Sequence, residues 1–286
     1  MTVIELINKS ATFLQAKGID SPRLQSELLL AHVLGVPRLE LYLSFDKHVP
    51  TDKIDKLRDL VIQRAQKKPL QLLIGSVSFY GIDIAVKNGV FIPRPETEVL
   101  VDETCKLLKQ AGFSKKERCD IFEFGIGTGC ISIAIAANFI NVYVTGIDIS
   151  ELAVELATSN AINTKVHERT KFITSTQFNY DNYIDAFDII VSNPPYIPKD
   201  QIQFLQSEVK NYDPIEALNG GDDGLDFYRN FSVNWKRILK KDGYALIEFG
   251  DMQENYVKNI FLSQKWKIEK IIPDLSGKPR VCVLKA

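Results

Sequence analysis

Apolar residues recur at helical spacing from Thr2 to about Lys68, first as Ile4, Leu6, Ile7, Phe13 and Leu14, then as Leu24, Leu28, Leu29, Val33 and Leu34. That period places them on one face of successive helices, which predicts a small helical bundle. The stretch "DSPRLQSELLLAHVLG" carries its own boundaries: Asp20 or Ser21 to cap, Pro22 for the first turn, and Gly35 for the stop before Pro37. From Leu70 the period changes. "GSVSFYGIDIAVKNGVFIP" alternates apolar and polar residues, and Tyr80-Gly81 and Asn88-Gly89 supply turn chemistry, so a β-hairpin is expected. The prolines of "PRPETE" end that strand, Thr97 or Glu96 opens a helix, and "VLVDETCKLLKQAG" runs at helical spacing to a stop at Gly112.

The rest of the chain alternates strand and helix candidates. "CDIFEFG" reads as a buried strand, followed by a glycine loop and a helix; "NVYVTGIDIS" reads as a strand, "ELAVELATSNAIN" as a helix, and "AFDIIVS" as a strand. Such alternation implies a parallel sheet with helices on both faces, an α/β fold. The isoleucines of "ISIAIAANF" alternate as in a strand, but the alanines between them would let a buried helix approach the sheet, and the segment directly follows the loop, so it is read as helix. "DGYALIEFG", "WKIEKIIPDL" and "RVCVLKA" predict three more strands, the last two an antiparallel pair.

At 286 residues the chain suits one large domain with a smaller companion. The expected division is a helical domain over 1–72, a hairpin linker over 73–92 and a larger domain over 93–286. With 35 basic and 36 acidic residues, the formal charge of −1 provides no global field to draw the chain to nucleic acid. Cys105, Cys119, Cys130 and Cys282 lack both zinc-site spacing and the density of a disulfide framework, so free thiols in a reducing compartment are expected. His32, His48 and His167 are scattered, and no metal site is expected. The start has no secretory pattern and no run reaches the roughly 20 residues of a membrane span, which gives a cytoplasmic expectation.

"EFGIGTGC" sets Gly125, Gly127 and Gly129 between a strand and a helix, where backbone N–H groups can approach a ligand closely. Asp148 follows at the end of the next strand, where a carboxylate can accept both hydroxyls of a ribose. Each feature has a plainer reading, a tight turn for the glycines and a helix cap for Asp148; together they favour an adenosine-type cofactor. The dinucleotide fingerprint would place its third glycine where this chain has Cys130. The G-x-G-x-G spacing instead resembles the loop of S-adenosylmethionine-dependent methyltransferases, and Glu123 beside it would tolerate a sulfonium better than a phosphate.

"IVSNPPYIP" turns sharply after its apolar run. Pro194 and Pro195 fix φ and remove two backbone donors, leaving a stiff corner that offers carbonyls. The side-chain oxygen of Asn193 and the carbonyl of Pro194 can accept hydrogen bonds from a planar N–H₂ group, and Tyr196 can stack on it. Holding such a weakly nucleophilic nitrogen about 3 Å from an activated methyl could supply roughly 7–11 kcal/mol of barrier lowering. Adenine N6, cytosine N4 and a glutamine amide share that edge, so the corner alone does not choose among them.

Several stretches together resemble the peptide chain release factor glutamine methyltransferases: Lys67 to Asp102, "FEFGIGTGCISIAIA", "FDIIVSNPPYIP", Glu216 to Arg229, "LIEFGDMQ" and "DLSGKPRV". The Asn-Pro-Pro-Tyr element is shared with DNA adenine methyltransferases, but the combination covers nearly the whole chain. The resemblance implies a Rossmann-like catalytic domain after a substrate-recognition helical domain, and methyl transfer from S-adenosylmethionine to the glutamine of the Gly-Gly-Gln motif in class I release factors. It implies that Gly125, Ile126, Gly127, Thr128 and Gly129 wrap the methionine part, Asp148 the ribose, and Phe178 the adenine side. Asn193 would touch both cofactor and substrate, with Pro194, Pro195 and Tyr196 completing the glutamine pocket. The family usually has Asp where this chain has Glu123, and an acidic residue where it has Gln177. A monomer without direct nucleic acid binding is expected. The alternatives are a nucleic acid amino-methyltransferase, a non-catalytic binding module and, last, a dehydrogenase. Arg94 and Glu98 could form a surface ion pair, and "NGGDDGLDFY" reads as an acidic loop able to act as a lid.

Overall fold

The computed structural model describes residues 1–110, 112–116, 118–176 and 178–286. Gln177 lies outside them. The chain divides into two compact units, one of residues 1–76 with 206–212 and one of 77–205 with 213–286.

The first unit is helical: α1 (Val3–Ala16), α2 (Pro22–Leu34), α3 (Arg38–Tyr42), α4 (Thr51–Ala65) and α5 (Leu70–Ile74). Leu6, Ile7, Leu14, Leu29, Leu30 and Val61 fill its core. Thr2 closes α1 with a capping box to Glu5. At α2, Pro22 takes the first turn and Gly35 the left-handed stop, as expected; Ser21 is also left-handed and makes no side-chain cap. Buried Arg64 binds Gln25 Oε1 at 2.5 Å and Glu208 Oε1 at 2.6 Å.

In the second unit, β1 (Ser76–Phe79, its first residue in the other unit) and β2 (Ile82–Ala85) form the expected hairpin, with Tyr80 and Gly81 both at positive φ. A 3₁₀ turn at Pro95–Thr97 leads into α6 (Glu98–Gln110). The elements that follow are β3 (Cys119–Phe124), α7 (Cys130–Asn138), β4 (Val142–Asp148), α8 (Glu151–Asn163), β5 (Thr170–Thr174) and β6 (Phe187–Ser192). After α9 (Ser207–Tyr212), which belongs to the first unit, come α10 (Asp226–Ile238), β7 (Leu239–Glu248), α11 (Glu254–Ser263), β8 (Lys267–Pro273) and β9 (Pro279–Lys285).

The seven-stranded sheet has the order β5-β4-β3-β6-β7-β9-β8, parallel except for β9, which is antiparallel to both neighbours. Residues of β3 alternate between the two faces: Cys119 and Ile121 join the core with α6 and α7, while Phe122 joins Tyr228, Phe231, Trp235 and Phe261 on the other side. The segment with strand-like isoleucine spacing is helix α7. Ile131, Ile133, Ile135, Ala134 and Ala136 are all buried, so it presents an apolar surface all round, and the period carries no face information. Strand β5 and helices α9, α10 and α11 went unread in the sequence, and the "LDFY" end of the expected acidic loop leads into α10.

Candidate active site

The parallel register puts the proposed functional positions in one row. Phe124 pairs with Ile147 on one side and Ser192 on the other, and Ser192 pairs with Ile247. The next residues along these strands are Gly125, Asp148, Asn193 and Glu248, so all four stand at the carboxyl ends of adjacent strands, where open α/β sheets bind ligands. The Ser192 hydroxyl donates to the Phe124 carbonyl at 2.8 Å, tying the start of the corner to the start of the loop.

The loop is held from three sides. Gly125 and Ile126 donate to the Ile147 carbonyl at 2.9 and 3.1 Å. Gly127 donates to Asp148 Oδ2 at 2.8 Å, and Ser150 N donates to Asp148 Oδ1 at 2.9 Å. Ser150, not Asp148, caps α8 through its side chain. Burial raises the Asp148 carboxyl above the ordinary aspartate range, opposed by these backbone donors. Gly129 starts α7 in the left-handed region, and a Cβ there would lie 2.9 Å from Ala157 Cβ, so this position needs glycine twice over. Buried Asn160, unmarked in the sequence, accepts from Ala85 N and donates to the Thr128 carbonyl at 3.0 Å, linking the hairpin to the loop.

Glu123 is buried beneath the loop. The Ser132 amide, at 3.0 Å, and the Ser132 hydroxyl both donate to Oε2, and Oε1 has no partner among the described residues. Burial pushes the carboxyl up to about 8 against the pull of Ser132. At neutral pH the group is therefore largely protonated, so its expected tolerance of a cation does not come from a fixed negative charge.

At the corner, Asn193 Nδ2 donates to Thr97 Oγ1 at 3.0 Å, joining the "NPPY" and "PRPETE" segments. Among the described residues no donor reaches Asn193 Oδ1 or the Pro194 carbonyl. The Tyr196 ring lies over Gly250, whose added Cβ would fall 2.9 Å from Tyr196 Cδ2, and burial raises its phenol. Gln253 staples the turn: its Nε2 donates to the Tyr196 carbonyl at 2.8 Å and its Oε1 accepts from Gly250 N at 2.9 Å. The glycines of "NGGDDG" lie against the corner; a Cβ on Gly220 would meet the Pro195 carbonyl at 2.8 Å, and one on Gly224 the Tyr196 carbonyl at 2.3 Å. Ile197 N donates to the Leu218 carbonyl at 3.0 Å, and the Ile197 carbonyl accepts from Gly220 N at 2.9 Å, so this segment is hydrogen-bonded to the corner rather than standing clear as a solvated loop.

Glu248 closes the row. Burial raises its carboxyl to about 7, while neighbouring Thr97 and the charge of Arg280 pull it down, and its Oε2 has no partner among the described residues. Arg280 is held by Asp274 Oδ2 at 3.1 Å and by the Phe249 carbonyl at 3.2 Å. Arg94 pairs with buried Asp213, which also accepts from Ile92 N at 3.3 Å; Glu98, its possible ion-pair partner by sequence, accepts from Tyr80 N instead. Phe178 is half-buried and packs against Phe122 at 4.7 Å and Tyr183 at 5.0 Å between ring centroids. Thr97, Glu248, Asn160 and Gln253 are therefore the site residues that sequence reasoning did not single out. Only "PRPETE" and "LIEFGDMQ", as motifs, gave a signal for three of them.

A parallel sheet with a glycine loop, an acid and an Asn-Pro-Pro-Tyr corner on neighbouring strand ends defines a Rossmann-like methyltransferase. A crystal structure of a methyltransferase from Pyrococcus furiosus shares this fold, with a TM-score of 0.51 at 17% identity over 73% of this chain and 90% of that one. Residues 5–75 match the PrmC N-terminal domain and residues 82–208 the methyltransferase small domain. The release factor glutamine methyltransferase of Fusobacterium nucleatum subsp. nucleatum is 38% identical over 99% of this chain and 78% of its own. That of Thermodesulfovibrio yellowstonii is 36% identical over 91% of each. The chain belongs to the release factor glutamine methyltransferase family. Among the described residues, no helix is long and apolar enough to cross a membrane.

Proposed function

We propose that this protein transfers a methyl group from S-adenosylmethionine to the side-chain amide nitrogen of the glutamine in the Gly-Gly-Gln motif of class I release factors. The observation that carries the reading is the corner's acceptor pair: Asn193 Nδ2 is committed to Thr97, so Asn193 Oδ1 and the Pro194 carbonyl remain for an N–H₂ group. Both stand one strand from the glycine loop.

The cofactor fits the loop. A Cβ on Gly125 or Gly127 would meet nothing within 4 Å, so a side chain there would enter the cleft that these glycines leave clear. Asp148 would hold the ribose, Gly125 to Gly129 the methionine part, and Phe178 the adenine side. When bound, S-adenosylmethionine supplies an electrophilic methyl on a sulfonium. The chain's own task is positional: Asn193 and Pro194 accept the two amide hydrogens, the prolines keep those acceptors rigid, and Tyr196 stacks on the carboxamide plane. Two short acceptors in fixed places favour a nitrogen bearing two hydrogens and orient its lone pair away from them. The near-neutral charge balance of the chain supports a protein substrate over nucleic acid.

Mass spectrometry of a class I release factor incubated with enzyme and S-adenosylmethionine tests the proposal. One added methyl on the Gly-Gly-Gln glutamine is expected. Transfer only to adenine- or cytosine-containing DNA or RNA, offered in parallel, would overturn it, and no transfer with no cofactor binding would favour the binding-module reading.

A further inference from the structure

The Asn-Pro-Pro-Tyr corner is held at both ends by short turns of other segments. At its start, Asn193 Nδ2 donates to Thr97 Oγ1 at 3.0 Å. Thr97 closes the 3₁₀ turn Pro95–Thr97, and its N–H donates back to the Arg94 carbonyl at 3.1 Å, so Arg94 and Thr97 move as one piece. At the other end, Ile197 is bonded in both directions, to the Leu218 carbonyl and to Gly220 N. A second 3₁₀ turn, Ile215–Ala217, leads into Leu218; Ala217 N donates to the Pro214 carbonyl and Leu218 N to the Ile215 carbonyl, both at 3.0 Å. That piece begins at Asp213.

Arg94 and Asp213 thus head the two supports, and they are bonded to each other: Arg94 Nη2 donates to Asp213 Oδ2, while Asp213 Oδ1 accepts from Ile92 N at 3.3 Å. The Asp213 side chain is fully buried. The Arg94 guanidinium also lies 5.1 Å from the centre of the Phe91 ring, which steadies it from a second side. A proline follows each partner, fixing φ there and restricting the residue before it. The links close a ring through Asn193, Thr97, Arg94, Asp213, Leu218 and Ile197, with the corner as its last side.

Building on the proposed function, we infer that Arg94 and Asp213 are positioning residues whose ion pair fixes the separation of the two supports, and with it the spacing of the Asn193 and Pro194 acceptors. Neither touches the reacting atoms. The other links of the ring join neutral groups, whereas this one is charge-assisted, and losing either partner leaves the other without its counter-charge. Once it opens, the Thr97 and Leu218 supports can separate. Misplacing a reacting group by about 1 Å can cost roughly a hundredfold in rate.

The test measures single-turnover methyl transfer to the release factor by wild type, Arg94→Ala, Asp213→Asn and the double variant, at a temperature where each is folded. Asp213→Asn removes the charge and keeps an oxygen able to accept from Ile92 N. Each single variant should be about tenfold or more slower, with the Kd for S-adenosylmethionine within twofold of wild type. The double variant should be no slower than the slower single, because the two act as a unit. Wild-type rates in the single variants, or losses that multiply in the double, overturn the proposal. Asp188→Asn is the control for stability alone: buried Asp188 accepts from Lys116 at 2.5 Å and Lys240 at 2.9 Å near the start of β6, at the far end of that strand from Asn193. It should lower Tm and leave the rate unchanged, and a loss equal to that of Asp213→Asn would overturn the positioning role. A crystal structure of the wild-type protein with S-adenosylmethionine bound and Arg94 apart from Asp213 overturns it however the variants fold. Wild-type enzyme that leaves the release factor glutamine unmodified would instead defeat the proposed function itself, so the two failures are distinct.

Discussion

Gly146 lies in β4 directly beneath the glycine loop proposed to hold the cofactor, and its replacement by alanine should disturb binding through one methyl group. A Cβ at this position would fall 2.4 Å from Ile126 Cγ2 and 3.0 Å from Phe172 Cδ1. The first distance is about 1 Å short of ordinary contact between carbons. Ile126 cannot retreat by shifting its backbone, because Gly125 and Ile126 both donate to the Ile147 carbonyl. It must adopt a strained rotamer or the loop must lift, breaking those bonds. Overpacking of this kind costs roughly 1–3 kcal/mol, and in a unit of this size each kcal/mol lowers Tm by about 2–4 °C. The expected outcome is a Tm lower by several degrees, with the Kd for S-adenosylmethionine raised about fivefold or more in calorimetric titration. Gly243→Ala is the control, since its Cβ would meet the Lys240 and Asp188 carbonyls at 2.9 and 3.0 Å near the opposite ends of the strands. It should lower Tm comparably and leave Kd unchanged. Unchanged Tm and Kd in Gly146→Ala, or equal Kd changes in both variants, would refute the claim that Gly146 supports the loop.

Asn193→Ala removes one of the two acceptors proposed to hold the reacting amide, and losses for comparable groups are roughly 10²–10³ in kcat; single-turnover methyl transfer with intact cofactor binding checks this, and near-normal turnover excludes the role. Glu123 keeps in the folded protein a proton that the unfolded chain releases above its ordinary value of 4.5, so its contribution to stability is full at acidic pH and declines as pH rises toward about 8. Glu123→Gln should lack that decline, changing its stability relative to wild type by roughly 3–5 kcal/mol between pH 4.5 and 8 in urea unfolding; parallel profiles would show that the carboxyl titrates normally. Leu43 and Leu39 of the helical unit are 84% and 72% exposed. If this unit recognises the substrate protein, Leu43→Asp should lower kcat/KM several-fold for an intact release factor and leave a short Gly-Gly-Gln peptide unaffected, whereas equal rates on both substrates would remove Leu43 from recognition.

The sequence by itself determined the order and type of most elements, because period and punctuation are local properties. Pro22 and Gly35 mark the ends of α2, Tyr80-Gly81 forces the hairpin turn, and strand-loop-helix alternation leaves few topologies other than a parallel sheet. Gly125, Asp148 and Asn193 were legible for the same reason: each directly follows or ends a recognisable strand, so their shared edge follows from the fold class. Helices such as α11 lacked strong signals, and β5 is a short, half-exposed edge strand without a continuous apolar run. Only the tertiary structure decided what each polar group faces. It turned Glu123 into a largely neutral acid by burying it, sent Arg94 to Asp213, and set Thr97 against Asn193 from a segment 96 residues away in the chain. Such pairings depend on distance and dielectric in three dimensions, and neither is encoded in the local pattern that shapes a helix or a strand.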